Sequence, residues 1–175
     1  MKQKIRNAML LLIVLAASGS IANAQHISRV TLQPMKVVYI IDSVLTADSF
    51  SVNMGKNYGL LFSLIGQQQL KPGKIMGIYH TAAPPFIFDV AVEVAREPGQ
   101  LAGSVQFKII EGGDAVVVHF KGPYEQIEMA YLQIEDWLKK SNKQRAGPPI
   151  EVYLNDPATV KDKNELLTDV YQLIR

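Results

Sequence analysis

The sequence contains no cysteine among its 175 residues, which excludes disulfides, thiolate nucleophiles and cysteine-ligated metals. It has three histidines, His26, His80 and His119, and none lies near another at the spacing that a zinc site uses. No serine stands in a Gly-x-Ser-x-Gly nucleophile elbow, and no glycine-rich turn matches a phosphate or dinucleotide loop. These absences predict a protein that uses neither a metal ion nor a cofactor.

Long apolar runs are equally scarce. The main one, Ala8–Ala17, is shorter than the ~20 residues that a membrane span needs. Basic residues precede it and the small residues "ANA" follow it, a pattern typical of a secretory signal peptide. A monotopic anchor would be the alternative. We expect cleavage after Ala24, which removes residues 1–24 and leaves a secreted or periplasmic chain, 25–175, without a membrane span.

The apparent excess of positive charge belongs to that same N-terminal segment. The whole chain has 18 Lys+Arg and 16 Asp+Glu, a net charge of +2. Three of the basic residues lie in segment 1–24, so 15 basic residues remain against 16 acidic ones. No basic excess is left to attract nucleic acid. The remaining length suits a single domain with its own core.

Hydrophobic periodicity predicts eight strands and two helices. The strands are Val30–Leu32, Val37–Val44, Lys74–His80, Phe86–Val94, Val105–Ile110, Ala115–Phe120, Ile150–Leu154 and Leu166–Ile174; the helices are Met54–Gln69 and Pro123 or Tyr124 to about Asn142. The glycines of "EGGD" predict a hairpin that joins the fifth strand to the sixth.

The order strand, helix, strand, strand occurs twice. The helix stripe Met54, Tyr58, Leu61 and Ile65 recurs 73 residues later as Ile127, Tyr131, Ile134 and Leu138. Tyr79 and Tyr153 lie 74 residues apart, and Asp89 and Asp169 lie 80 apart. This repeat predicts an α+β fold of two pseudo-twofold-related modules, about 28–97 and 104–175, that share an antiparallel sheet around a central pocket.

The short strand "PIEVYL" carries a carboxylate among apolar residues. Strand alternation places Glu151 and Tyr153 on one face. If that face lines a pocket, the desolvated carboxylate will pair with a cation or take up a proton. If the face meets water, both residues are ordinary surface positions, and the residues alone leave the two readings open. We interpret Glu128 and Glu135 of the second helix as solvated side chains.

Three quoted segments carry a family resemblance: "VVVHFKGPYEQIEMAYLQIEDWLKK", "GPPIEVYLNDP" and "ELLTDVYQLI". Together they resemble the GyrI-like small-molecule-binding domain, which includes the effector-binding domains of AraC- and MerR-type multidrug regulators. The resemblance covers Ser104–Ile174 well and Val37–Val94 only through the repeat. It implies an aromatic pocket with a buried acid. The predicted ligand-binding set is Glu151, Tyr153, Tyr131, Trp137, Tyr39, His119 and Phe88.

The resemblance implies a stand-alone binder of a small lipophilic or cationic molecule. The chain has no helix-turn-helix unit, so we expect no nucleic-acid partner. Some relatives hydrolyse strained cyclopropane compounds, so the alternative is a small hydrolase with Glu151 as acid or base and Tyr153 or Tyr131 orienting the substrate. A third reading is a partner-binding protein whose cleft is filled by its own side chains. Haem binding would need His80 or His119 as an axial ligand.

Overall fold

The protein was studied as a computed structural model that describes residues 27–175. The predicted signal peptide, residues 1–24, and His26 lie outside the described residues. Eight strands and two α-helices follow one another in the chain. They are β1 (Ile27–Leu32), β2 (Met35–Val44), α1 (Phe50–Gln67), β3 (Pro72–Tyr79), β4 (Phe86–Val94), β5 (Gln106–Ile110), β6 (Gly113–Lys121), α2 (Glu128–Ser141), β7 (Ile150–Tyr153) and β8 (Leu167–Leu173).

All eight strands form one antiparallel sheet in the order β1-β6-β8-β7-β3-β4-β2-β5. The order is symmetric about its centre, where β3 of the first repeat pairs with β7 of the second. Gly77 lies opposite Glu151, which is its own repeat equivalent 74 positions later. The pseudo-twofold axis that relates the two modules therefore passes through this pair.

The predicted hairpin between β5 and β6 is wrong. β5 pairs with β2, and β6 pairs with β1, so the chain crosses from one half of the sheet to the other between them. A Cβ at Gly112 would lie 2.8 Å from the Pro34 ring and would also meet the Leu32 carbonyl oxygen. Gly112 thus allows the β5–β6 connection to pass close to the β1–β2 connection, and it does not serve a tight turn.

Both helices pack on the same face of the sheet, each over its own module. Alternation along the strands produces this arrangement, because every second residue points to the helix side. The core beneath α1 contains Val38, Ile40, Phe88, Val90, Val92, Leu61, Leu64 and Ile65; the core beneath α2 contains Val116, Val118, Phe120, Val170, Ala130, Ile134 and Leu138. A third core occupies the opposite face, with Val37, Met76, Ile78, Ala91, Ala115, Ile150 and Val152 among its members.

The helix ends differ modestly from the sequence prediction. α1 begins at Phe50, four residues before the predicted start, because that ring packs on Phe86 and Phe88 at centroid distances of 5.5 and 5.0 Å. α2 follows a short 3-10 turn and ends at Ser141, and the next residue, Asn142, caps it in a left-handed conformation with φ 51°. Neither helix is long and apolar enough to cross a membrane, and the same holds throughout the described residues.

Candidate functional site

A buried carboxylate lies at the centre of the sheet, on the face that carries the helices. Glu151 is 5% exposed, and both of its oxygens accept hydrogen bonds from phenols. The Tyr131 hydroxyl donates to Oε1 at 2.6 Å, and the Tyr153 hydroxyl donates to Oε2 at 3.0 Å. The Tyr79 and Tyr153 hydroxyls lie 2.8 Å apart. The carboxylate is therefore held in a network that neutral donors supply.

The repeat explains why four tyrosines converge on this point. Tyr79 and Tyr153 are equivalent positions on the two central strands, and Tyr58 and Tyr131 are equivalent positions on the two helices. The Tyr58 hydroxyl donates to the Met76 carbonyl oxygen at 3.0 Å. We call Glu151 and these four tyrosines the tyrosine–glutamate cluster. The pseudo-twofold axis brings equivalent tyrosines from both modules to a single carboxylate.

The residue opposite the carboxylate makes room for this network. A Cβ at Gly77 would lie 2.9 Å from the Tyr153 hydroxyl and 3.0 Å from the Tyr79 ring. Contacts that short force neighbouring atoms to move. Glycine at this position therefore lets the two phenols meet over the sheet, and the carboxylate exists in one module only.

Burial controls the electrostatics of the cluster. Desolvation raises the pKa of Glu151 above its usual value, and hydrogen bonds from Tyr131, Tyr153 and Tyr79 oppose part of that rise. Burial also raises the pKa of Tyr58, Tyr79, Tyr131 and Tyr153, and the nearby charge of Glu151 adds to each shift. The phenols consequently remain protonated donors, while the carboxyl group holds its proton to a higher pH than an exposed glutamate does.

Aromatic side chains continue from the cluster across the first module. Phe50 packs edge-on against Tyr79 at 5.9 Å and also contacts the Phe86 and Phe88 rings. The Met54 sulfur lies 3.9 Å from the Tyr79 hydroxyl. On the side of the second module, the Tyr124 ring packs edge-on against Tyr153 at 5.6 Å. These side chains offer apolar and π-rich surface on both sides of the carboxylate.

The tyrosine side chains themselves cover Glu151. Two surface cavities of the described residues, of about 400 and 350 Å³, lie elsewhere, beside the end of α2 and beside Ile41 and Pro85. Glu151 lines neither of them. Tyr131 and Tyr153 are only partly buried as residues, and their hydroxyl groups point inward to Glu151. An open central pocket stays a prediction, and a ligand of this carboxylate would have to displace a tyrosine.

The structure brings Glu151, Tyr153 and Tyr131 together, and it places the other members of the predicted set around or away from them. Phe88 is fully buried in the first module, where its ring stacks with Tyr79 at 6.1 Å. Trp137 packs, partly buried, into the core beneath α2. Ligand contact by the predicted set stays a prediction.

Tyr39 and His119 lie on the opposite face of the sheet from Glu151, because the strand register points them away from the helices. The Tyr39 ring lies 4.2 Å below the Lys108 ammonium group, and its hydroxyl donates to Gln106 at 2.9 Å. His119 Nδ1 lies 2.6 Å from an oxygen of Asp169. Both residues therefore belong to polar clusters that are separate from the tyrosine–glutamate cluster.

The first of these polar clusters surrounds Asp89, which is 1% exposed. Lys108 Nζ lies 2.5 Å from Oδ2, and His80 Nε2 lies 2.9 Å from Oδ1, outside hydrogen-bonding geometry. The two histidines that could have served as haem ligands, His80 and His119, thus each face an aspartate. The described residues contain no group of three His, Asp or Glu side chains that could hold a metal ion.

Sequence reasoning missed Tyr58, Tyr79 and Tyr124 as neighbours of Glu151. A usable signal was present for two of them, because Tyr58 and Tyr79 are the repeat equivalents of Tyr131 and Tyr153. A pseudo-twofold axis through Glu151 must bring equivalent residues to the same place. Tyr124 carried no such signal, since its position depends on how the turn before α2 packs.

A comparison with protein families matches residues 25–175 to the GyrI-like small molecule binding domain. The chain belongs to this family. The match extends over both modules, although the sequence resemblance was clear only in the second. The family assignment and the α+β fold with two helices on an antiparallel sheet are both confirmed. No curated protein matches this GyrI-like chain.

Several solved structures share the GyrI-like fold. The EcmrR C-terminal domain is 19% identical with a TM-score of 0.71, over 87% of this chain and 98% of that one. EcmrR in its DNA complex is 18% identical with a TM-score of 0.76, over 86% of this chain, which spans only 57% of that chain. A hydrolase from Listeria innocua is 8% identical with a TM-score of 0.65, over 86% of this chain and 92% of that one.

A fourth structure contains a ligand. SAV2435 bound to tetraphenylphosphonium is 10% identical to this chain with a TM-score of 0.55, over 86% of this chain and 94% of that one. At these identities the similarity concerns the fold alone.

Proposed function

We propose that the chain binds small amphipathic cations at the tyrosine–glutamate cluster. The observation that supports this is a carboxylate that is 5% exposed and takes part in none of the ion pairs of the described residues. Its hydrogen-bond donors are uncharged phenols. A buried acid without a cationic partner offers a place where a ligand can supply the missing charge.

The surrounding rings suit the same ligand class. A cation over a desolvated aromatic face gains ~0.5–2 kcal/mol per ring, in addition to its attraction to the carboxylate. The aromatic side chains around Phe50 and Tyr79 would receive the apolar part of the ligand. Because Tyr131 and Tyr153 occupy the carboxylate oxygens, entry requires at least one of these rings to rotate, and both residues are only partly buried.

The tetraphenylphosphonium complex of SAV2435 supports the choice of a lipophilic cation as the probe. That ligand carries a permanent positive charge, has aromatic rings and donates no hydrogen bond. We extend only its chemistry to this chain, since the two proteins share a fold at 10% identity.

Titration calorimetry with tetraphenylphosphonium tests the proposal on three proteins: the wild type, Glu151→Gln and Glu128→Gln. Glu128 is an exposed acid of α2 and serves as the matched control. We expect binding by the wild type and Glu128→Gln, and at least a tenfold weaker affinity for Glu151→Gln, equivalent to about 1.4 kcal/mol. Equal affinity of all three proteins would remove Glu151 from the binding site.

We also propose that the chain acts outside the cytoplasm, as residues 1–24 suggest. The proposal rests on the basic start, the short apolar run and the small residues before position 25. Expression of the full chain, followed by fractionation and N-terminal sequencing, tests it. We expect the mature protein to begin at Gln25 in the exported fraction. Recovery of the full-length chain in the cytosol would contradict export.

A small hydrolase is the second candidate, and the raised pKa of Glu151 favours it. A carboxyl group that keeps its proton to a higher pH than an exposed one can act as a general acid, with Tyr131 or Tyr153 orienting the substrate. The fold of the Listeria innocua hydrolase is consistent with this chemistry. Release of product beyond one equivalent per protein from a strained cyclopropane substrate, abolished in Glu151→Gln, would establish turnover. Stoichiometric binding without product would leave the binding function alone.

A further inference from the structure

The two modules differ at two positions close to the pseudo-twofold axis. Gly77 in the first module corresponds to Glu151 in the second. Phe88, which pairs with Tyr79, corresponds to Thr168, which pairs with Tyr153. Both differences place the polar residue in the second module. The shared tyrosines are thus flanked by phenylalanine on one side and by a carboxylate and a hydroxyl on the other.

Thr168 is unusual in its own right. Its residue is 0% exposed, and its hydroxyl oxygen has no hydrogen-bond partner among the described residues. Buried hydroxyls are nearly always paired, so an unpaired one beside a binding site calls for a partner that arrives later. The strand register directs Thr168 to the helix face, next to Tyr153 and diagonal to Glu151.

The same tyrosine adjoins both polar groups. The Tyr153 hydroxyl occupies an oxygen of Glu151, and the residue itself is the cross-strand neighbour of Thr168. The Tyr124 ring packs on Tyr153 and is also partly exposed. Rotation of Tyr153 out of the cluster would free one oxygen of Glu151 and open space beside Thr168.

We propose that the site binds its ligand in one orientation. The ligand carries a hydrogen-bonding group, and this group lies on the side of the positive charge that faces the second module. The inference rests on the proposed binding function. The apolar part lies toward Phe50 and Phe88, the charge lies at Glu151, and a hydroxyl or carbonyl group of the ligand reaches Thr168. Diagonal neighbours across antiparallel strands are separated by about 7–8 Å, so the charge and the polar group of the ligand should lie at a comparable separation. Hydroxylated or carbonyl-bearing lipophilic cations are the class that fits.

Two probes of nearly equal shape test the orientation: tetraphenylphosphonium and (4-hydroxyphenyl)triphenylphosphonium. Their affinities are measured by calorimetry on the wild type, Thr168→Val, Thr168→Ser and Glu151→Gln. One new hydrogen bond should make the wild type prefer the hydroxylated probe about fivefold. Thr168→Ser should keep that preference, and Thr168→Val should bind the two probes with equal affinity.

Thermal denaturation without a probe supplies the second readout. Valine keeps the shape of threonine and removes the unpaired hydroxyl, so Thr168→Val should melt at or above the wild-type temperature. Thr168→Ala replaces it in the binding measurement if the valine variant does not fold. The assignment of Thr168 would be overturned if the wild type did not prefer the hydroxylated probe. It would also be overturned if Thr168→Val, or Thr168→Ala in its place, kept the wild-type preference. If Glu151→Gln bound both probes as tightly as the wild type does, the proposed binding function itself would be overturned. The two failures are therefore distinguishable.

Discussion

Replacing Glu151 by glutamine should remove a pH dependence of folding stability that the wild-type protein shows. Burial raises the pKa of this carboxyl group above 4.5 in the folded state, whereas the unfolded chain titrates near the usual value. Between the two pKa values, the folded protein binds the proton and the unfolded chain does not. The free energy of unfolding of the wild type therefore falls as the pH rises through this interval, and it is constant above the folded pKa.

The size of the effect follows from the shift itself. Each unit by which the folded pKa exceeds the unfolded one corresponds to about 1.4 kcal/mol of lost stability. Little of this is screened by solvent, because the residue is 5% exposed. Glutamine keeps the size of the side chain and a hydrogen-bond acceptor, but it cannot ionise. The stability of Glu151→Gln relative to the wild type should therefore increase with pH.

Urea denaturation at half-unit steps from about pH 4 to 8 measures this difference, because all other titrating groups cancel between the two proteins. Glu128→Gln provides the control, since the same charge is removed from an exposed position on α2. Its profile should run parallel to that of the wild type. If the profile of Glu151→Gln were also parallel, the carboxyl group would not be desolvated, and the electrostatic account of the site would be refuted.

Three other changes test separate parts of the structure. Binding of tetraphenylphosphonium should strengthen as the pH rises through the raised pKa of Glu151, because only the ionised acid attracts the cation; calorimetry across pH checks this. Gly77→Ala should lower the free energy of unfolding by about 1–3 kcal/mol, since its Cβ would lie 2.9 Å from the Tyr153 hydroxyl. Lys108→Met should cost about 2–4 kcal/mol, because it leaves Asp89 buried without its ammonium partner. Urea denaturation measures the last two.

Matched controls exist for both stability variants. An added Cβ at Gly59 meets no atom within 4 Å, so Gly59→Ala should stabilise α1 by about 0.5–1 kcal/mol. Lys140 forms an exposed ion pair with Asp136 one helical turn away, so Lys140→Met should change stability by less than about 1 kcal/mol. If either control lost as much stability as its test variant, close packing or burial would not be the cause.

The sequence alone was sufficient for the elements and for the repeat. Helical stripes of period 3.6 and strand alternation of period 2 are local patterns, so they identify α1, α2 and most strands to within a few residues. Pairing is not local. The glycines of "EGGD" are compatible with a hairpin or with a crossing, and only packing against Leu32 and Pro34 favours the crossing.

The candidate site was likewise predictable only in part. Alternation placed Glu151 and Tyr153 on one face, and the family resemblance added Tyr131, without any knowledge of neighbouring strands. The burial of that face, the convergence of Tyr58 and Tyr79 on the carboxylate, and the separation of Tyr39 from it depend on which strands lie side by side. Local sequence patterns do not predict those contacts, because the contacts join distant segments that only the folded sheet brings together.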